Sequence, residues 1–421
     1  MIKIVIVSGL QPINNPRAVK EAETLASHGY DVTLIGAVHS IESKLLVASL
    51  NAGHSWKHLP VVDATDRKLL SRLRYLFYRI KGRLSRLLYT TFAIQLPSQL
   101  ASYVGPMYRL AAREKADLYI IHAEPALWVG QRLIMDGQKV ATDIEDWYSE
   151  DLLPEDRAKR PVDLLKSLEQ FLLEKSVYTS TTSRVMAQGL AQEYSVPEPS
   201  VILNSFRYSE RAHIDGKILD RKNSSIPSLI WFSQTVGPGR GLELLFEALH
   251  LIDLPIEIHI RGRLRNEMFH QQLLALIPAK HLSNIYFHNL VSQSDLLSRL
   301  AEHDIGFCGE LSSCKSRDLT ITNKILEYIR AGLHVVASNT KGQLELSHAK
   351  DLKIRYFKQS STADLANVLH ELAKTISRGL PAKKTFFDPT DFSELSWEHN
   401  SQTLLSNVTI ALQGKQCSST R

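Results

Sequence analysis

Apolar residues in this chain fall into short unbroken runs, separated by stretches in which they recur every three or four positions. IKIVIV (2–7), DVTLIGA (31–37), ADLYIIHA (116–123) and KVATDIED (139–146) are runs of the first kind, suited to strands buried on both faces. The helical rhythm holds from about Pro16 to His28, from Leu127 to Asp136 and from Val162 to Tyr178, and VILN (201–204) reads as one more short strand. Between Tyr208 and Ser228 the pattern lapses into polar sequence, RYSERAHIDGKILDRKNSSIPS, which predicts a linker. A second series follows, with strands at SLIWFSQ (228–234), IEIHIRG (256–262), IYFHN (285–289), DIGFCG (304–309), HVVASN (334–339) and LKIRYF (352–357). Helices are expected at 242–251 and 267–276, and DFSELSWEHNSQTLLSNVTIALQ closes the chain as a long amphipathic helix. Strands alternating with helices imply an α/β protein with parallel, doubly wound sheets. The expected division is a Rossmann-like domain over 1–207, a linker over 208–228, a second such domain over 229–390 and a terminal segment over 391–421. Two such domains in tandem would face a central cleft, where ligands bind.

Composition adds two things. The 421 residues are 44% hydrophobic and 22% charged, as in an ordinary soluble protein, and no stretch reaches the roughly 20 apolar residues of a membrane span. IKIVIV is too short for a signal-peptide core and lacks a basic leader. Cys308, Cys314 and Cys417 are odd in number and lack metal-ligand spacing, so a reducing, cytoplasmic setting is expected. The formal charge of +6 is unevenly spread: from Arg67 to Arg86 there are eight Lys or Arg residues and no acid. Leu69, Leu73, Leu76, Phe77, Ile80, Leu84, Leu87 and Leu88 recur there at helical steps. Residues 67–88 therefore suit the anionic inner face of a membrane, or else a core-packed helix with solvated cations. No nucleic-acid-binding module accompanies the charge, and no nucleic-acid partner is expected.

Candidate chemistry lies mainly in the second series. WFSQTVGPGRGLELL places Gly237, Gly239 and Gly241 between a strand and a helix, where backbone N–H groups can approach a phosphate and Arg240 can add a full charge. The spacing is neither a Walker loop nor GxGxxG, and an ordinary strand–helix turn fits it as well. Arg261, at the end of the neighbouring strand, could join Arg240. In TNKILEYIRAGLHVVASN, Thr322 is an N-cap candidate and Asn323 and Lys324 lie in the first turn. Glu327 sits one turn in, on the side of Asn323 and Lys324, and Gly332 ends the helix. Glu327 reads either as a solvated helix acid or as an acceptor for the two hydroxyls of a vicinal diol such as ribose.

NKILEYIRAGLHVVASN resembles the NKLFEYLAAGLPVIAS signature of family 4-type glycosyltransferases, which have the two-domain GT-B fold. GPGRGLELLFEAL, NNPRAVKEAETLASHGYDVTLIG, DLYIIHAEPALWVG, TDIEDWYSED and SELSWEHNSQTLL resemble further segments of that family in the same order, so the likeness runs over nearly the whole chain. It implies retaining transfer of a sugar from a nucleotide-sugar donor, without a required metal, and a terminal helix that crosses back to the first domain. Glu327 takes the place of the ribose-binding glutamate, Arg240 that of the diphosphate-binding cation with Arg261 as a second, and His122 that of the histidine that orients the sugar. Thr322, Asn323 and Lys324 complete the donor side. Arg17, Glu145 and Asp146 are the residues expected on the acceptor side, with Asp143 beside them. One departure stands out. Where many members carry a second acid contacting the donor sugar, this chain has Leu319, which leaves Asp318, Glu310 or the amides of Thr320 to Asn323 to read the sugar. A nucleotide-sugar epimerase of the same fold and a non-catalytic scaffold are the alternatives.

Overall fold

The computed structural model describes residues 1–51, 56–348, 352–378 and 394–414. Cys417, the 390/391 boundary and residues 391–393 of the closing segment lie outside the described residues. The chain divides into two compact units, 1–202 with 401–421, and 203–400.

The first unit holds strands β1 (Lys3–Val7), β2 (Asp31–Val38), β3 (Lys57–Asp63), β4 (Leu118–His122), β5 (Val140–Ile144), β6 (Thr179–Thr181) and β7 (Ser200–Val201). They form one parallel sheet in the order β3-β2-β1-β4-β5-β6-β7. The second unit holds β8 (Ser228–Val236), β9 (Glu257–Leu264), β10 (Ile285–His288), β11 (Ile305–Cys308), β12 (His334–Ser338) and β13 (Ile354–Phe357). Their parallel order is β10-β9-β8-β11-β12-β13. Both sheets reverse direction of growth beside their first strand, so each has a switch point: β1/β4 in one, β8/β11 in the other. In sheets wound this way, ligands sit beyond the strands' carboxyl ends at that point.

Ten of the predicted runs become strands within a residue or two, and VILN shrinks to the two-residue β7. The sequence pattern passes over β3 and β6. Pro60 interrupts β3, which is tolerable because β3 is an edge strand and an unpaired side needs no N–H there. TST offers β6 no apolar signal, yet the strand is held between β5 and β7. In the second unit alternate β8 residues supply both faces: Trp231 packs with Phe246, Ile258 and Phe307, while Ile230 packs with Ile325, Tyr328 and Val335.

The polar stretch expected as a linker is bonded into the second unit by buried acids. Glu302 accepts from the amides of Leu219 and Asp220, Glu257 from those of Lys222 and Asn223, and Asp304 pairs with Arg221. Charged sequence is thus structure here, because each acid finds several donors. Residues 401–413 of the terminal helix (Trp397–Gln413) belong to the first unit, where Lys139 Nζ meets the carbonyls of Ala411 and Leu412 near the helix end.

Candidate active site

In the second unit the loop after β8 runs Gly237–Gly241 into the helix Leu242–Ala248. Gly241 holds φ +80°, and a Cβ there would lie 2.2 Å from the Gly309 carbonyl oxygen, so only glycine lets this loop press against the end of β11. Gly239 N–H donates to the Glu243 carboxylate of the following helix at 3.2 Å. Arg240 is steered by its Nη1 donating to Ser233 Oγ at 3.0 Å. Across the switch point, Glu310 follows β11 and pairs with Lys324 Nζ, while the Lys324 ammonium lies 5.8 Å from the centre of the Trp231 ring. Burial would raise the Glu310 carboxyl, but Lys324 above all, then Arg240 and Arg317, hold it below its ordinary range. One cation is thus bonded to this acid, and the charges of two more act on it. The helix Asn323–Ala331 starts there too, with Thr322 Oγ1 accepting from Lys324 N and Gly332 closing it in the left-handed conformation.

Within that helix Lys324 and Glu327 are buried, while Asn323, at its first position, is exposed. Arg330 grips one oxygen of Glu327 with Nε at 3.0 Å and Nη2 at 2.6 Å, and itself pairs with Glu210. The carboxylate is therefore held in one orientation. Leu319 is buried in the core, and Asp318 accepts from Ser312 Oγ and pairs with Lys341 at 3.4 Å. Arg261, expected to join Arg240, has its charge engaged by another partner. Its guanidinium pairs with Asp220 and donates to the Asn289 carbonyl, so the polar segment before β8 takes up its charge.

The first unit carries a buried ionic cluster at the ends of β4 and β5. Asn15 caps the helix Pro16–Ser27 through Ala18 N, Pro16 occupies the first position, and Arg17 is thereby turned inward. Arg17 is wholly buried. Its Nη2 lies 2.6 Å from Asp143 Oδ2, its Nη1 donates to the Ile202 carbonyl at 2.8 Å, and its Nε is 3.7 Å from Glu21 Oε1. Arg17 thus orients Asp143 and offers no surface to an acceptor, contrary to the role expected of it. His122 is equally buried, with Nε2 2.9 Å from Glu21 Oε2. Burial disfavours its imidazolium, yet Glu21 and then Asp143 outweigh that and raise its pKa. Burial would also raise Asp143, but Arg17 and His122 bring it below the ordinary value. Glu21, His122 and Asp143 each place a potential ligand atom within 4.8 Å of the others. The Arg17 guanidinium lies against both carboxylates, so a metal ion here would face a fixed positive charge, and this set does not suit one. After His122, Ala123 holds φ +60° and ψ 156°, a conformation that costs an L-residue roughly 1–3 kcal/mol.

No family model matches the chain, and no curated protein does. Solved structures do match. Sucrose-phosphate synthase from Thermosynechococcus elongatus superposes with a TM-score of 0.68 at 12% identity, over 99% of this chain and 100% of that one. HepE of Anabaena in complex with UDP-glucose gives 0.64 at 14% identity, over 97% and 100%. A putative UDP-N-acetylglucosamine 2-epimerase from Listeria monocytogenes gives 0.57 at 10%, over 100% and 99%. The fold is GT-B.

On this GT-B framework most of the singled-out residues lie at or beside the two switch points, in Rossmann-like units of seven and six strands. Arg240, Thr322, Lys324 and Glu327 belong to the second. His122, Arg17, Glu145 and Asp146 belong to the first, Glu145 half-buried and Asp146 exposed just after β5. Burial, then Asp143, pushes the Glu145 carboxyl up against the pull of Arg17. Sequence reasoning missed Glu21 and Arg330, the partners that orient His122 and Glu327. The signal was there, since Arg17–Glu21 and Glu327–Arg330 have helical spacings of four and three.

A further buried acid, Glu169, backs the segment after β5, accepting from Ser149 N at 3.0 Å and from Tyr194 Oη at 2.7 Å. Burial outweighs both bonds and pushes its carboxyl up to about 7. The native state then binds more protons than the unfolded chain between roughly pH 4.5 and 7, so this group's contribution falls as pH rises through that window. Glu169→Gln is expected to stabilise the first unit at pH 8 by up to about 3 kcal/mol and to make no difference near pH 4. Thermal unfolding at the two pH values checks this, and equal shifts at both would contradict it.

Proposed function

We propose that this chain is a retaining glycosyltransferase that moves a hexose from a UDP- or GDP-sugar to a glycan, lipid-linked or small-molecule acceptor, with no metal required. The observation that carries the proposal is the pairing of two features at one switch point. Arg240, Lys324 and the amides of the glycine loop and helix start form an anion site, and Glu327, one helical turn on and oriented by Arg330, is the carboxylate we assign to a ribose diol. A nucleoside diphosphate carries both chemistries. The HepE structure holds UDP-glucose, which favours uridine as the base.

In this reading residues 229–390 take the donor and 1–207 the acceptor. Charge that builds on the departing diphosphate meets Arg240, Lys324 and the loop amides, an electrostatic stabilisation that can supply several kcal/mol. Glu310, displaced from Lys324 by the phosphates, becomes available to the sugar hydroxyls, in the place left empty of an acid at Leu319. Glu145 and Asp146 meet the acceptor, and His122 positions the β4 end without an exposed surface of its own. Thermal shift against UDP, GDP, ADP and their sugars is the first test. Stabilisation by one base series, followed by transfer with unchanged anomeric configuration in the product, is expected. If no nucleotide stabilises the protein, the proposal fails. The Listeria neighbour favours a second reading, epimerisation; it predicts turnover of the UDP-sugar alone, with no acceptor added.

A further inference from the structure

The helix Leu69–Phe92 is built inside out. The side it turns to the first unit is small and polar. Ser85 Oγ bonds Ser98 Oγ at 2.7 Å, Gln99 Nε2 donates to the Ser85 carbonyl at 2.8 Å, Tyr89 Oη donates to the Arg160 carbonyl at 2.5 Å, and buried Tyr78 meets Tyr103 edge-on. The side it turns to solvent is apolar. Leu73, Leu76, Phe77, Ile80, Leu84 and Leu87 are each 50–61% exposed. At about 100° per residue they occupy roughly a third of the helix circumference, opposite Tyr78 and Ser85. A helix that served only the core would place this stripe inward. Burying it against the unit was the alternative left by the sequence pattern, and the structure removes it.

Cations border the stripe on both flanks: Arg72, Arg79, Arg83 and Arg86 on one, Arg74 and Lys81 on the other. No acid occurs between Asp66 and Glu114. We infer that this face docks on the surface of a bilayer that carries anionic headgroups, with the leucine stripe at the acyl boundary and the arginines among phosphates. Charge decides between occupants. A second copy would set two acid-free cationic helices face to face, which repels. A nucleic acid would leave the stripe in water, since its backbone engages only the flanks. An anionic bilayer satisfies stripe and flanks together. Among the described residues no helix is long and apolar enough to cross a membrane, so the contact is one of surface. Docking is independent of the proposed transfer reaction, because its test contains no sugar donor.

The full chain is floated with vesicles of pure phosphatidylcholine and with vesicles containing phosphatidylglycerol. Binding only to the anionic vesicles is expected, weakening at least tenfold between 0.1 and 0.5 M salt. Two variants, Phe77→Ser/Ile80→Ser/Leu84→Ser and Arg72→Gln/Arg79→Gln/Arg83→Gln/Arg86→Gln, should each lose at least tenfold in binding while unfolding at the wild-type temperature. Failure of the wild type to bind, or equal binding by the serine variant, overturns the inference. A wild-type dimer in sedimentation that the serine variant dissolves would also overturn it and assign the face to self-association. So would capture by an acidic protein without vesicle binding.

Discussion

Replacing Arg17 by methionine is expected to destabilise the first unit by about 3–5 kcal/mol, the cost of leaving buried carboxylates without their cation. Asp143 would keep only Ser180 Oγ, at 2.7 Å, and Glu21 would face it with His122 alone between them. Lysine should not rescue the loss, since one ammonium cannot reach Asp143, the Ile202 carbonyl and Glu21 together. Because the chain has two units, hydrogen exchange resolved by strand assigns the loss to one of them. Amides of β4 and β5 should lose protection while those of β8 and β11 keep theirs. The same cluster sets a pH window. Asp143, with its folded pKa depressed, contributes stability that is present above its unfolded value and lost as pH falls through its folded value. His122, with its folded pKa raised, contributes in acid and loses that contribution as pH rises through its folded value. Unchanged protection in the methionine variant would show that Arg17 packs there without holding the acids.

Arg17 also shows where sequence reasoning runs out. Asn15-Pro16 announces a helix start, and that much is local. The partner that decides what Arg17 does lies 126 residues away, and no spacing rule reaches it. Strands buried on both faces of a parallel sheet were legible because nearly every position must be apolar. β3 and β6 were not, since an edge strand tolerates Pro60 and a three-residue polar strand carries no pattern. Arg261 failed for a related reason. Its place near a strand end followed from IEIHIRG, but Asp220, in a stretch that reads as linker, captures its side chain. The basic helix was legible as an amphipath, while the side it presents to the protein depends on tertiary contacts such as Ser85–Ser98. Local helix chemistry was the most legible of all: the Thr322 cap and the Gly332 stop stand in the structure as the residues alone imply.

Lys324→Ala is the second large effect, and it bears on the proposed donor site. Loss of one full charge on a diphosphate should weaken UDP or GDP binding by about 1.5–3 kcal/mol, roughly 10- to 150-fold in Kd. Transfer should fall further, by roughly 10²–10³ in kcat, because the charge grows as the diphosphate departs. A drop in binding alone would not separate contact from collapse, since Glu310 would be left half-buried without its cation. The double variant Glu310→Gln/Lys324→Met separates them. Removing both charges takes away the penalty of an unpaired acid, so stability should return towards the wild type. Nucleotide binding should stay lost, because the cation is still absent. Recovery of binding in the double variant would make Lys324 a prop for Glu310 and leave the diphosphate to Arg240. A full-affinity Lys324→Ala protein would move the anion site away from this helix start altogether. Glu327→Gln divides the site a second way. It spares the cations, so inorganic pyrophosphate should bind it as well as it binds the wild type, while a ribonucleoside diphosphate loses its advantage over the 2′,3′-dideoxy form. That difference in response, diol on Glu327 and diphosphate on Lys324 and Arg240, is what a site built for a nucleotide sugar requires and a general anion site does not.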